Sequence, residues 1–247
     1  MVPTGTTVPD DLTERAQMHG DGVLRDAGRL VEEATEGSAT IPIRCEMVST
    51  AVLPTLIERS RDAYMIVVGC RGLGAIRRQL LGSVSWGLVH HAHCPVAIIH
   101  DEGSMAERLS GAPVVVGVDG SPASELATAI AFDEASRRGA DLVAVHAWSD
   151  YPAFDWPSQG WEGLREEAEE TLAERLAGWQ EQYPDVGVRR VVVPDRAAHQ
   201  LLEQSDAAQL TVVGSHGRGG FTGMLLGSVS SAVAQSARTP VIVARQS

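Results

Sequence analysis

One glycine pattern occurs twice in this chain, and it limits what the chain can fold into. Gly214-x2-Gly217-x9-Gly227-Ser228, within TVVGSHGRGGFTGMLLGSVS, recurs as Gly69-x2-Gly72-x9-Gly82-Ser83 within VVGCRGLGAIRRQLLGSVS. The offset is constant: 214 − 69, 227 − 82 and, for the Pro-Val pairs further on, 240 − 95 all equal 145. Such self-similarity marks two copies of one structural unit. In each copy an apolar run enters a glycine-rich loop, and the loop enters a helix. Glycines let the backbone approach a ligand closely, and the first amides of a helix are unpaired donors, so this arrangement suits an anion.

The second copy is the easier to read. PVVVGVDG (Pro113 to Gly120) is a β-branched run ending in a turn, as a buried parallel strand should be. Ser121-Pro122 is an N-cap followed by proline at the first helical position, and Gly139 closes the helix that follows. DLVAVHAW (141–148) is a second strand, and SDYPAFDWPSQG is a proline- and aromatic-bearing surface loop. Trp161 to Gln182 has Leu164, Ala168, Leu172, Leu176 and Trp179 at helical spacing. VGVRRVVV (186–193), a short helix at 197–205, QLTVVG (209–214), a helix from Val229 and PVIVA complete the series. Strands alternating with helices predict an α/β fold with a doubly wound parallel sheet, whose ligands bind past the carboxyl ends of the strands.

The resemblance is to the universal stress protein family, in its tandem-domain, ATP-binding branch. The glycine pattern is similar to that family's ATP-binding signature, and the likeness extends to GVDGSPAS at 117–124, VHAW at 145–148 and the Pro-Val ends at Pro95 and Pro240. It implies an adenine-nucleotide alpha-hydrolase-like sheet with strand order 3-2-1-4-5 in each module, so that the loops after strands one and four meet over one crevice. The expected domains are a first module at 1–100, a polar linker at 101–112 and a complete module at 113–247.

The first module departs from this pattern. IPIRCEMV, from Ile41, falls within a residue of the offset from the third strand of the second module, yet Met1 falls on His146 (1 + 145), so the counterparts of 113–145 are missing. Strands one and two of that module are therefore expected to be absent, leaving apolar edges unpaired. A misplaced start or truncation is one reading. A real half-module, completed by rearrangement or by a partner chain, is the other.

The resemblance also assigns the binding residues. Gly214 and Gly217 bring backbone amides to the phosphates and ribose, and Gly227, Ser228, Val229 and Ser230 form the phosphate-holding helix start. Gly117, Val118, Asp119 and Gly120 lie against the adenosine, and Ala147 packs near adenine. Arg218 could add charge to the phosphate site, and it and Asp119 also have local explanations. Asp119 suits a turn in which it bonds its own backbone, and Arg218 is as readily a solvated loop arginine as a phosphate partner. His146, on an apolar strand, reads as a satisfied core histidine. Only the second module has an adenosine wall, so one ATP per chain is expected, with magnesium as an accompanying ion. The alternatives are slow ATP hydrolysis or nucleotidyl transfer at the same loop, and a non-binding pairing module. Pairing is expected through the final strands, Pro95 to Ile99 and Pro240 to Ala244, within one chain or in a homodimer.

Composition narrows the field. A net charge of −12 and a pI near 5.1 argue against nucleic acid as a partner. All 20 basic residues are arginine, which removes a Walker A lysine and any Schiff-base lysine. No membrane span or signal peptide is evident. Cys45, Cys70 and Cys94 form no CxxC pair, so a reduced, cytoplasmic protein is expected. His90, His91, His93 and Cys94 are too close in sequence to share a metal and read as a fortuitous cluster. No nucleophile elbow or ligand triad suggests a catalytic residue.

Overall fold

The structure is a computed structural model and describes residues 10–36, 41–70, 81–100, 111–147, 161–194, 196–218 and 225–245. Its strands are β1 (Ile66–Gly69), β2 (Val96–Ile99), β3 (Val114–Gly117), β4 (Leu142–Ala147), β5 (Val188–Val193), β6 (Leu210–Gly214) and β7 (Val241–Ala244). Its helices are α1 (Asp10–Ala34), α2 (Val52–Arg59), α3 (Ser83–His91), α4 (Pro122–Arg138), α5 (Trp161–Gln182), α6 (Ala197–Ser205) and α7 (Ser228–Ser236). Most of the expected linker at 101–112, the expected surface loop at 148–160 and the inner parts of both glycine-rich stretches, Gly72 included, lie outside the described residues.

The chain divides into two compact units, 1–52 and 53–247. Within the first, α1 is mostly solvent-exposed, and the Cys45 thiol lies 3.7 Å from the Leu24 carbonyl. The expected strand at IPIRCEMV does not form: residues 41–49 carry no regular structure and are exposed. A β-branched run becomes a strand only where a neighbouring ladder takes up its backbone groups. In the order 3-2-1-4-5 its neighbour would be strand two, and among the described residues the sheet has no strand beyond β1.

The second unit holds a seven-stranded sheet in the order β1-β2-β7-β6-β3-β4-β5. Counted within the second module, β5-β4-β3-β6-β7 is the expected 3-2-1-4-5, and all four of its pairings are parallel. Side chains alternate between two apolar faces. Val115, Val143, Val145 and Val213 face a core shared with α3, α6 and α7. Val114, Val116, Leu142, Ala144, Leu210 and Val212 face one shared with α4 and α5, centred on the fully buried Phe132. Local signals set the boundaries of α4. The Ser121 hydroxyl accepts the Ser124 amide at 3.2 Å, Pro122 starts the helix, and Gly139 ends it at φ 58°.

The final strands of the two copies pair antiparallel, with Val96 opposite Val243, Ala97 opposite Ile242 and Ile98 opposite Val241. The duplication shows around this seam. The Arg245 guanidinium donates to the Val89 carbonyl, and His100 Nε2 lies 3.3 Å from the Ala234 carbonyl. Both pairs are related by the offset, since 100 + 145 = 245 and 89 + 145 = 234. Each copy thus contacts the end of the other copy's last helix.

Candidate functional site

The loops after β3 and β6 meet, as the strand order requires. Asp119 is the hinge of the contact. Its Oδ1 accepts the Ser121 amide at 2.9 Å, which is the local turn read from the sequence, while Oδ2 accepts the Arg218 amide at 3.2 Å from the other loop. Arg218 Nε also donates to the Asp119 carbonyl, and Ser121 Oγ donates to the His216 carbonyl at 3.0 Å. Arg218 is exposed at this junction and tied to it, rather than simply solvated.

The glycines serve different purposes. A Cβ on Gly214 would fall 2.8 Å from the Ala123 carbonyl carbon, so Gly214 lets the first turn of α4 press onto the end of β6. A Cβ on Gly217 would fall 2.5 Å from Asp119 Oδ2, so Gly217 leaves room for that carboxylate. Gly120 has φ 76°, and a Cβ there would collide with the Arg175 guanidinium. Gly117 ends β3, where a Cβ would meet Leu201 at 3.2 Å.

Among the described residues no side chain caps the start of α7. Gly227 is its N-cap and supplies no side-chain cap, in contrast to Ser121 on α4. The first intrahelical bond runs from the Ser231 amide to the Gly227 carbonyl at 2.9 Å, so the amides of Ser228, Val229 and Ser230 belong to the first turn, which a helix cannot pair internally. The Ser228 side chain is exposed; Ser230 is buried, and its hydroxyl donates to the Gly214 carbonyl. That bond pins the helix to the strand and directs the Ser230 hydroxyl inward. The same bond joins Ser85 to Gly69 in the first copy, at 2.7 Å.

At the end of the β3 strand, Val118 is buried, and its carbonyl lies 2.6 Å from His146 Nδ1. Ala147 ends β4 and is half-buried. His146 is the core histidine expected. Burial pushes its pKa down, helped by Arg218 and Arg175 and opposed by the Val118 carbonyl and Asp119. Because the folded state resists protonation, stability is expected to fall as the pH drops below the unfolded-state value near 6.5. Denaturant midpoints at pH 5.5 and 7.5 should differ, and His146→Gln should shrink the difference. An unchanged difference in the variant would show that other groups set the slope.

Sequence reading missed Arg175. It sits between Leu172 and Leu176 on the inward stripe of α5, partly exposed, against Gly120 and 3.8 Å from Glu125. An arginine inside a buried leucine stripe was the available signal. The guanidiniums of Arg175 and Arg218 therefore both lie against the loop at 118–120. Among the described residues no group of three His, Cys, Asp or Glu could hold a metal, the His90–Cys94 cluster included.

The Universal stress protein family profile matches residues 2–100 and 112–245. A universal stress protein of Mycobacterium tuberculosis is 56% identical over 240 residues, covering 97% of this chain and 81% of that one. The chain belongs to the universal stress protein family. A relative in Mycobacterium bovis, also a universal stress protein, is 56% identical over 228 residues, 92% of this chain and 77% of its own. In fold, this universal stress protein is similar to one from Archaeoglobus fulgidus, with a TM-score of 0.70 at 22% identity over 99% of this chain and 84% of the other. Among the described residues of this universal stress protein, no helix is long and apolar enough to cross a membrane.

Proposed function

We propose that this universal stress protein is a nucleotide-dependent regulatory module that binds one ATP per chain, in the crevice between the β3–α4 and β6–α7 loops. The observation that carries the reading is the first turn of α7, which starts at Gly227 against His216 and Gly217, next to a β3–α4 loop that two arginines contact. Orphan amides and positive charge suit a polyphosphate. Phosphates would rest on the amides of Gly227, Ser228 and Val229, and the adenosine would lie along Val118, Asp119 and Ala147. Asp119 already accepts two amides and is one isolated carboxylate, so magnesium would travel on the phosphates and water, as that ion usually does. The proposed organisation is a module at 1–100, a linker at 101–112 and a module at 113–247, in keeping with the two matched family segments.

The test is the nucleotide content of the purified chain by native mass measurement, followed by calorimetry with added ATP. A bound adenine nucleotide, or saturable binding of added ATP, supports the proposal. Failure to bind in both measurements would remove it and leave the pairing role. Steady phosphate release above the buffer background would turn the reading toward an enzyme.

A further inference from the structure

A cavity of about 520 Å³ opens at the C-terminal end of α3. Its walls include Ile57 of α2, His90, His91 and His93, Leu225 ahead of α7, and Arg245 just after β7. No aspartate or glutamate lines it, in a chain whose net charge is −12. Small-molecule sites commonly measure about 300–1,000 Å³, so the space suits an organic ligand rather than a bare ion.

Arg245 gives the cavity its character. It is only 9% exposed. One guanidinium nitrogen donates to the Val89 carbonyl, the Nε has no acceptor, and among the described residues no carboxylate pairs with the charge. A buried cation held by a neutral acceptor is costly, and an anion in the cavity offsets that cost. The histidine segment is fixed by its backbone: the Ala92 amide donates to the Leu88 carbonyl at 2.9 Å, and the His93 amide to Ser60 Oγ at 2.8 Å. The repeat shows that this turn does not require histidine. At the offset of 145, His90, His91 and His93 match Gln235, Ser236 and Arg238, and Arg245 matches His100. The second copy builds the same turn, with the Ala237 amide donating to the Val233 carbonyl at 3.0 Å. The arginine and three histidines are therefore a property of this cavity and not of the fold.

We propose that the cavity binds a small organic monoanion, a carboxylate carried on an apolar body. The carboxylate pairs with the Arg245 guanidinium, whose planar fork matches it. The imidazoles in the walls add N–H donors, and Ile57 and Leu225 take the apolar body. A metal ion is not the occupant, because among the described residues no three His, Cys, Asp or Glu side chains converge. None of the residues named in its walls belongs to the proposed nucleotide crevice, so the two sites stand or fall separately.

The experiment titrates the full chain with benzoate by calorimetry, with neutral benzamide and inorganic phosphate as controls. Saturable binding of one benzoate per chain is expected, with benzamide and phosphate each weaker by at least about tenfold. Arg245→Gln removes the charge and should weaken benzoate by at least about tenfold. Leu225→Asp adds a carboxylate to the wall at a position that is 46% exposed, so its thermal midpoint should match the parent while benzoate weakens by about fivefold. Saturating ATP should leave benzoate binding unchanged. Lack of saturable binding would overturn the proposal, as would benzamide or phosphate binding as tightly as benzoate. Displacement of benzoate by ATP would overturn it too, by moving the anion to the nucleotide crevice. So would parent affinity in a folded Arg245→Gln chain or, where that variant does not fold, in Leu225→Asp.

Discussion

Titration of the chain with ATP is expected to return one site, and Gly217→Leu is expected to abolish it. A site in this sheet needs a phosphate wall and an adenosine wall. In the second module the loops proposed to supply them are joined through Asp119 and Arg218, and both follow strands in the parallel part of the sheet. The first copy has the strand and helix start of the phosphate wall, but among the described residues no strand lies beside β1 to carry an adenosine wall. Phosphate contacts alone leave the base in water and lose the apolar burial that lines most ligand sites. A leucine at 217 would displace the Asp119 carboxylate, 2.5 Å from its Cβ, and disconnect the two walls. The expected loss is at least about 100-fold, or roughly 2.7 kcal/mol. Gly217 is exposed and its φ is not positive, so the fold should tolerate the change. Gly72→Leu, at the matching position of the first copy, should leave the affinity at the parent value. Two equivalent sites, or loss of binding in Gly72→Leu but not in Gly217→Leu, would refute the assignment.

Phe132→Ala is expected to produce the largest loss of stability among core substitutions in α4. Phe132 is fully buried, with its ring stacked at 6.1 Å from that of Trp179 and 5.6 Å from that of Tyr183. These contacts join α4 to α5 and to the residue that follows it, over the β3 and β6 strands. Truncating a buried phenylalanine costs about 3–5 kcal/mol, a large share of the roughly 5–15 kcal/mol that holds a domain folded. The thermal midpoint should fall by roughly 6–20 °C for a chain of this size. Val67→Ala, an exposed change on the same sheet, should stay within about 0.5 kcal/mol. If the two variants melted together, α4 would not be a principal support of the sheet.

Where local chemistry agrees with tertiary context, the sequence was enough. Ser121, Pro122 and Gly139 bound α4 by capping rules that need no partner, and the leucine stripe of α5 is a periodicity. The β-branched runs of the second module became strands because each has a neighbour in the order 3-2-1-4-5. IPIRCEMV occupies the matching place in the repeat but has no such neighbour among the described residues, and pattern alone cannot supply one. Helix α1, with apolar Met18, Val23, Leu30 and Val31 left exposed, also went unread. At the site, the residues that touch across the crevice were found because their motifs are local. Arg175 was not, because its contact with Gly120 spans 55 residues (175 − 120) and depends on how α5 lies over the sheet. Gly214 illustrates a different gap. Sequence marks it as indispensable, but only the structure shows that its nearest neighbour is the α4 backbone.

The seam between β2 and β7 also has a consequence in time. The segment of β2 is complete at Ile99, and β7 begins at Val241, 142 residues later (241 − 99). At a synthesis rate of about 5–20 residues per second, β2 is made roughly 7–30 s before its antiparallel neighbour exists. Throughout that interval a strand with Val96 and Ile98 fully buried in the finished sheet has a vacant side. β6 waits for the same strand, so four residues made late close both ladders at once. A chain interrupted before Val241 is left with two apolar edges instead of one finished sheet, and these are the species a ribosome-associated chaperone would need to hold.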